Sequence, residues 1–171
     1  MESPKPDREE IMFFACIGRL AVAWGHLEMG LDMIISITLV LGGSEIEPER
    51  PRALNRKLRY LRRYFLSSDM PEPGKQAYLK LLEEIRVRSD FRHDIIHGAI
   101  TRQDEKSFNT RFVRAMHINN KIAPKPVDVD TKTILREAKE VEVIASKTFK
   151  WSDAMADAMQ QLAREAGVQI P

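Results

Sequence analysis

Phe13, Ile17, Leu20, Trp24, Leu27, Leu31 and Ile34 recur at intervals of four, three, four, three, four and three. A period of that kind held over three heptads requires one long amphipathic helix with a face in a core. Asp7 is placed to cap it, with Glu10 three residues later as the reciprocal partner. At about 1.5 Å per residue the unbroken element is about 50 Å long. Gly30 is a place for a bend, and Gly42-Gly43 ends the helix. A second stripe, Ala15, Gly18, Ala21, Gly25 and Met29, lies roughly opposite the first. Its small side chains admit the close approach of another helix.

Three further helices follow from the same period. Pro48 and Pro51 precede one marked by Leu54, Leu58, Leu61 and Phe65. Pro71, Pro73 and Gly74 precede another marked by Tyr78, Leu81, Leu82, Ile85 and Phe91, which Gly98 stops. The last starts at Asp130 or Thr131 and carries Ile134, Ala138, Val141, Ala145, Thr148, Ser152, Met155, Met159 and Leu162. Between the last two helices the pattern changes. Residues 99–102 and 110–118 read as two strands, with the polar stretch 103–109 as their turn. Pro124 and Pro126 then interrupt. The expected fold is mainly α: one domain over 1–171, a bundle of four main helices with a small β-hairpin near 99–118. Leu20, Trp24, Leu27, Leu31, Leu81, Ile85, Val141 and Met155 are the expected core.

Composition narrows the function classes. Hydrophobic residues are 43% and charged residues 30%, an ordinary globular balance. A formal net charge of +2 is too small for nucleic acid to be held by overall charge, so any such site needs local clustering. The single cysteine, Cys16, excludes an internal disulfide framework and suits a reducing cytoplasm. The first ten residues lack the order of a signal peptide. The most apolar run, Met33 to Leu41, is too short to span a bilayer and reads as the buried end of a helix. No membrane partner is expected, and the location expected is cytoplasmic.

The densest polar cluster is Arg88-Ser-Asp-Phe-Arg92-His93-Asp94-Ile-Ile-His97-Gly98. A guanidinium is permanently charged and suits a phosphate oxygen. An imidazole titrates near neutrality and moves protons. Arg92 with His97 is therefore a minimum set for cleaving RNA without a metal, the 2′-hydroxyl being the nucleophile. Two plainer readings stand beside it. In one, Arg92 and Asp94 are solvated and the histidines cap carbonyls. In the other, His93 and His97 at i, i+4 bind a metal with His26 or Glu28 as third ligand.

Arg92, the polar His93, a short spacer and His97 before Gly98 resemble the motif of ribonuclease members of the HEPN domains (higher eukaryotes and prokaryotes nucleotide-binding). The helix bearing Trp24, Leu27, Glu28 and Leu31 adds loosely to the likeness. The resemblance implies an all-α bundle, a homodimer with its site in the cleft between subunits, and metal-independent cleavage of RNA with no cofactor. It makes Arg92 the phosphate-binding group, His97 the acid/base and His93 their supporting polar residue. It also implies a toxin or defence and stress effector, with an antitoxin or regulatory protein as partner. Ala99 stands where antitoxin-paired members carry a tyrosine, so regulation at such a tyrosine is not expected. Helix geometry adds one constraint: residues five apart are about 140° apart around the axis, so Arg92 and His97 do not stack on one face. A second chain placing its Arg92 beside His97 would resolve this.

Seven basic residues lie between Arg50 and Arg63 with no acid among them. Arg52, Arg56, Arg59 and Arg63 share one helix face, a stripe suited to a phosphate backbone, with Tyr60 and Tyr64 available for base stacking. The contrasting expectation is a solvated helix face. The alternative to a ribonuclease is a non-catalytic helical module that binds nucleic acid or a protein partner.

Overall fold

The computed structural model describes residues 8–103, 110–118, 121–165 and 167. The chain is mainly α. Helix α1 is Arg8–Val40, α2 is Leu54–Ser67, α3 is Glu72–His97 and α4 is Thr131–Glu165. Strands β1 (Ala99–Gln103), β2 (Thr110–Ile118) and β3 (Lys121–Val129) lie between α3 and α4 and form one antiparallel sheet in the order β1-β2-β3. The cap expected at Asp7 lies outside the described residues, as do residues 104–109 of the turn expected at 103–109, whose first residue, Gln103, ends β1.

The expected hairpin is thus a three-stranded sheet. Pro124 and Pro126 do not interrupt it; they sit inside β3, opposite Ala115 and Val113. Proline removes a ladder donor, so it is tolerated on an edge strand when its nitrogen faces away from the neighbour. Two prolines spaced by two residues put both nitrogens on the same side of the strand. Alternation along β3 is clean: Val129 is buried and Val127, Lys125 and Ala123 partly so, whereas Ile122, Pro124, Pro126 and Asp128 are exposed. On β2, Thr110 and Phe112 are buried.

The described chain forms two compact units. One comprises the residues up to Trp24 with Arg88–Val141; the other comprises Gly25–Val87 with the residues from Glu142 on. Helices α1, α3 and α4 each contribute a segment to both. The first unit buries Phe13, Leu20, Trp24, Ile95, Phe112, Ile134, Ala138 and Val141, with Phe13 stacked on Phe112 at 6.1 Å between centroids. Arg88 of α3 donates to Glu137 of α4 at 2.6 Å. Asp130 caps α4, its Oδ1 accepting the Thr133 N–H at 2.7 Å, and the Thr133 donors hold its carboxyl below the usual aspartate range.

The second unit buries Leu27, Leu31, Ile34, Leu61, Phe65, Leu81 and Ile85. An aromatic row runs from Phe65 to Tyr78 (4.2 Å) and on to Trp151 (4.0 Å). Gly42, at φ +92°, supplies the left-handed turn after α1. The eight expected core residues are all buried, as is Cys16. Among the described residues, α1 is the one helix long and apolar enough to cross a membrane, and 44% of its most apolar window is buried.

α1 continues as helix through Gly30. A Cβ there would overlap the Thr148 side chain, so the glycine serves close approach of α4. Gly30→Ala should therefore lower stability by about 1–3 kcal/mol, despite alanine's better helix propensity. A denaturant midpoint equal to or above wild type would refute the close packing.

Candidate functional site

The last turns of α3 sort their side chains by angle. Ile95 and Asp94 point inward and are buried. His93 and His97 are exposed, with ring centroids 4.7 Å apart. Arg92 is partly buried, its guanidinium over the Trp24 ring at 5.5 Å from the centroid. Such stacking holds one face of the guanidinium against the indole and fixes its plane beside the helix. The histidine sector is thus flanked on one side by Arg92, about 100–140° away around the helix, and on the other by Asp94, about 60–100° away. Gly98 ends the helix where a Cβ would meet the Asp94 carbonyl and the Phe112 side chain.

Asp94 is not solvated, contrary to the plainer expectation. Its side chain is 6% exposed. Lys125 Nζ donates to its Oδ2 at 2.6 Å, and Arg114 Nε stands 3.2 Å from its Oδ1. Arg114 and Lys125 face each other across the β2–β3 ladder. Two adjacent strands therefore grip one helix through one carboxylate. Sequence reading missed Arg114 and Lys125, because only strand register shows that they converge.

His93 titrates below the usual histidine range. Partial desolvation of the ring is the main cause; the charges of His97, Arg114 and Arg92 add to it, and Asp94 opposes it. The folded protein keeps His93 neutral where an unfolded chain would bind a proton. Stability is accordingly lost as pH falls from the ordinary value of 6.5 through the folded one, and this group contributes no pH dependence well above 6.5.

The basic helix lies in the second unit. Arg52, Arg59, Arg62 and Arg63 are exposed. Arg56 is bound to Glu47 through both Nε, at 3.1 Å, and Nη2. Lys57 is buried, donating to Asp32 at 2.8 Å with Glu28 at 3.7 Å. Glu28 is engaged with Lys57, and no cluster of three metal-ligating side chains occurs among the described residues. Tyr60, expected to stack on bases, is fully buried and shares a hydrogen bond with Thr38 at 3.1 Å. Tyr64 is partly exposed. Arg63 and Tyr64 border an open cleft of about 590 Å³ that Glu45 and Asp69 also line, so its charge is mixed.

The small-residue stripe of α1 faces outward. Ala15, Gly18, Ala21 and Gly25 are exposed, and a Cβ added at Gly18 or Gly25 would meet nothing within 4 Å. Ile11, Phe14 and Val22 beside it are 49–59% exposed.

Compared with family models, curated proteins and solved structures, the chain matches none. The resemblance to HEPN domains accordingly rests on the motif at the end of α3.

Two outcomes follow. In a proton NMR titration the His93 ring should show a midpoint below 6.5, and Arg92→Gln should raise it; a midpoint at or above 6.5 in wild type would contradict the arrangement. For the basic helix, reversing Arg52, Arg59 and Arg63 to Glu should weaken single-stranded RNA binding at low salt far more than at high salt, because phosphate contacts release counterions. Equal binding at low salt would remove this helix from any nucleic-acid interface.

Proposed function

We propose that the protein is a metal-independent endoribonuclease of HEPN type, a toxin or defence effector acting in the cytoplasm. The observation that carries this reading is the exposed His93–His97 pair beside Arg92 at the end of α3. A His97 buried against carbonyls would have ended it. Arg92 binds the scissile phosphate, His97 moves the proton and His93, neutral near pH 7, supports it. In the step, the 2′-oxygen bonds to phosphorus as the bond to the 5′-oxygen breaks. The 2′-hydroxyl proton passes to a neutral imidazole, and the 5′-oxygen takes one from a protonated imidazole. The exposed arginines Arg52, Arg59 and Arg63 supply phosphate contacts away from the chemistry, and Arg56 divides its charge with Glu47.

A homodimer suits the outward apolar face of α1. A two-fold interface presents the same surface twice, and Ala15, Gly18 and Ala21 between Ile11, Phe14 and Val22 offer a face whose backbone a second copy can approach closely. The same exposed face favours the second reading, a non-catalytic module that docks a protein partner such as an antitoxin or regulator.

Incubation with labelled RNA in EDTA separates the two. Wild type should cleave, and His97→Ala should lose at least about 100-fold in rate. No cleavage by wild type, or equal cleavage by the variant, would leave the binding module. Mixing an Arg92→Ala chain with a His97→Ala chain should restore activity if the site is shared between subunits. A protein that sediments as a monomer at micromolar concentration would exclude the shared site.

A further inference from the structure

Phosphate binding at the end of α3 meets an electrostatic obstacle. The C-terminus of a helix carries the equivalent of about half a negative charge, and the free carbonyls there repel an anion. Arg92 alone, with its face on Trp24, is a thin counterweight for a phosphodiester whose transition state gathers further negative charge. A site in this position requires positive charge from another element.

β2 brings it. Arg114 reaches α3 from the flank opposite Arg92 and meets Asp94 through Nε at 3.2 Å. Lys125, on the neighbouring strand, meets the other carboxylate oxygen at 2.6 Å. One carboxylate faces two cations, so the cluster keeps an excess positive charge. An ion pair made through Nε uses one part of a guanidinium that has five N–H donors in a planar fork. Arg114 is also close enough to His93 to depress its protonation. Its side chain is 15% exposed, a position that fixes the group while leaving it in reach of solvent.

We propose that Arg114 is a phosphate-binding residue of this site: held by Asp94, it supplies a second guanidinium that flanks the His93–His97 pair opposite Arg92 and takes the same RNA phosphate. Asp94 is then a positioning residue, and Lys125 fastens the sheet without touching the ligand. The proposal rests on the ribonuclease reading for the identity of the phosphate, but the anion site itself is independent of any chemistry. Two fixed guanidiniums on either side of the imidazoles also restrict which phosphate oxygens face the proton-transferring groups. That orients the attack as well as binding the charge.

Inorganic phosphate is the probe. Titrated into wild type, it should shift the His93 and His97 ring resonances together. Arg114→Gln should weaken that binding about tenfold, the loss expected for one charge-assisted hydrogen-bonding group. Lys125→Gln removes the other cation from the same carboxylate; it should lower the denaturation midpoint yet hold phosphate affinity within about twofold. Arg114→Lys keeps a charge for Asp94 but loses the fork, and should fold as wild type while binding phosphate more weakly, so a misfolded Arg114→Gln would not spare the idea. Equal phosphate affinity in wild type and both Arg114 variants, or no binding by wild type, would overturn it. The EDTA cleavage assay keeps the two readings apart. Cleavage by wild type with affinity indifferent to Arg114 sinks this proposal and leaves the ribonuclease. Phosphate binding that depends on Arg114 without cleavage sinks the ribonuclease and leaves the anion site.

Discussion

A carboxylate removed from water is costly unless positive charge accompanies it. Asp94 meets that condition with two cations, and much of the first unit depends on the answer. Arg114 and Lys125 come from directly opposed positions of β2 and β3, so the carboxylate fixes both the distance of the sheet from α3 and its register. A slip of one residue in either strand would turn the cation outward and bring a neighbour such as Val113 or Pro126 to the carboxylate. Removing one partner of such a buried set is expected to be far more damaging than losing a surface ion pair, because a buried charge remains behind. The surface pair Arg111–Asp128, on the outer face of the same two strands, contributes little by comparison.

The second unit solves the converse problem in the same way. Lys57 is a buried cation answered by two carboxylates of α1, Asp32 and Glu28. This changes what the basic segment can do. Lys57 is structural, Arg56 is taken by Glu47, and Arg50 lies against Asp32. What remains on the surface of α2 is narrower than the run of basic letters implies: Arg59, Arg62 and Arg63, with Arg52 just before the helix. An interaction with phosphate there draws on those side chains.

The helices were legible because their signal is local. Every member of the stripe from Phe13 to Ile34 is buried except Ile17, which is partly so, and the stripe on α4 stays buried through Met155 before Leu162 emerges into solvent. The strands were half legible. β1 and β2 lack prolines; β3 carries Pro124 and Pro126, which its edge position permits. Arg92, His93 and His97 were found as letters in a row, and the exposure of the two histidines agrees with a four-residue spacing. The environment of the cluster was not legible. Asp94 is 20 and 31 residues from the cations that hold it, and Trp24, the support of Arg92, is 68 residues away. Such pairings depend on tertiary register, which no local period encodes.

Spacing on α3 also decides what kind of site this can be. Had the arginine stood four residues before the histidine, the two would have shared a face and formed a compact pair on one chain. Five positions apart, they diverge by about 140°, and Arg92 turns onto Trp24 while the exposed sector goes to His93 and His97. The imidazoles therefore occupy the centre and the guanidinium a flank. In the proposed ribonuclease, charge on the Arg92 flank alone would pull a phosphate toward Arg92 and off the line of the rings. The proposed reaction therefore calls for a cation on the other flank. That flank belongs to Asp94, which carries the wrong sign until the sheet reverses it with Arg114 and Lys125. The three-stranded insertion between α3 and α4 thus converts an acidic flank of the helix into a basic one.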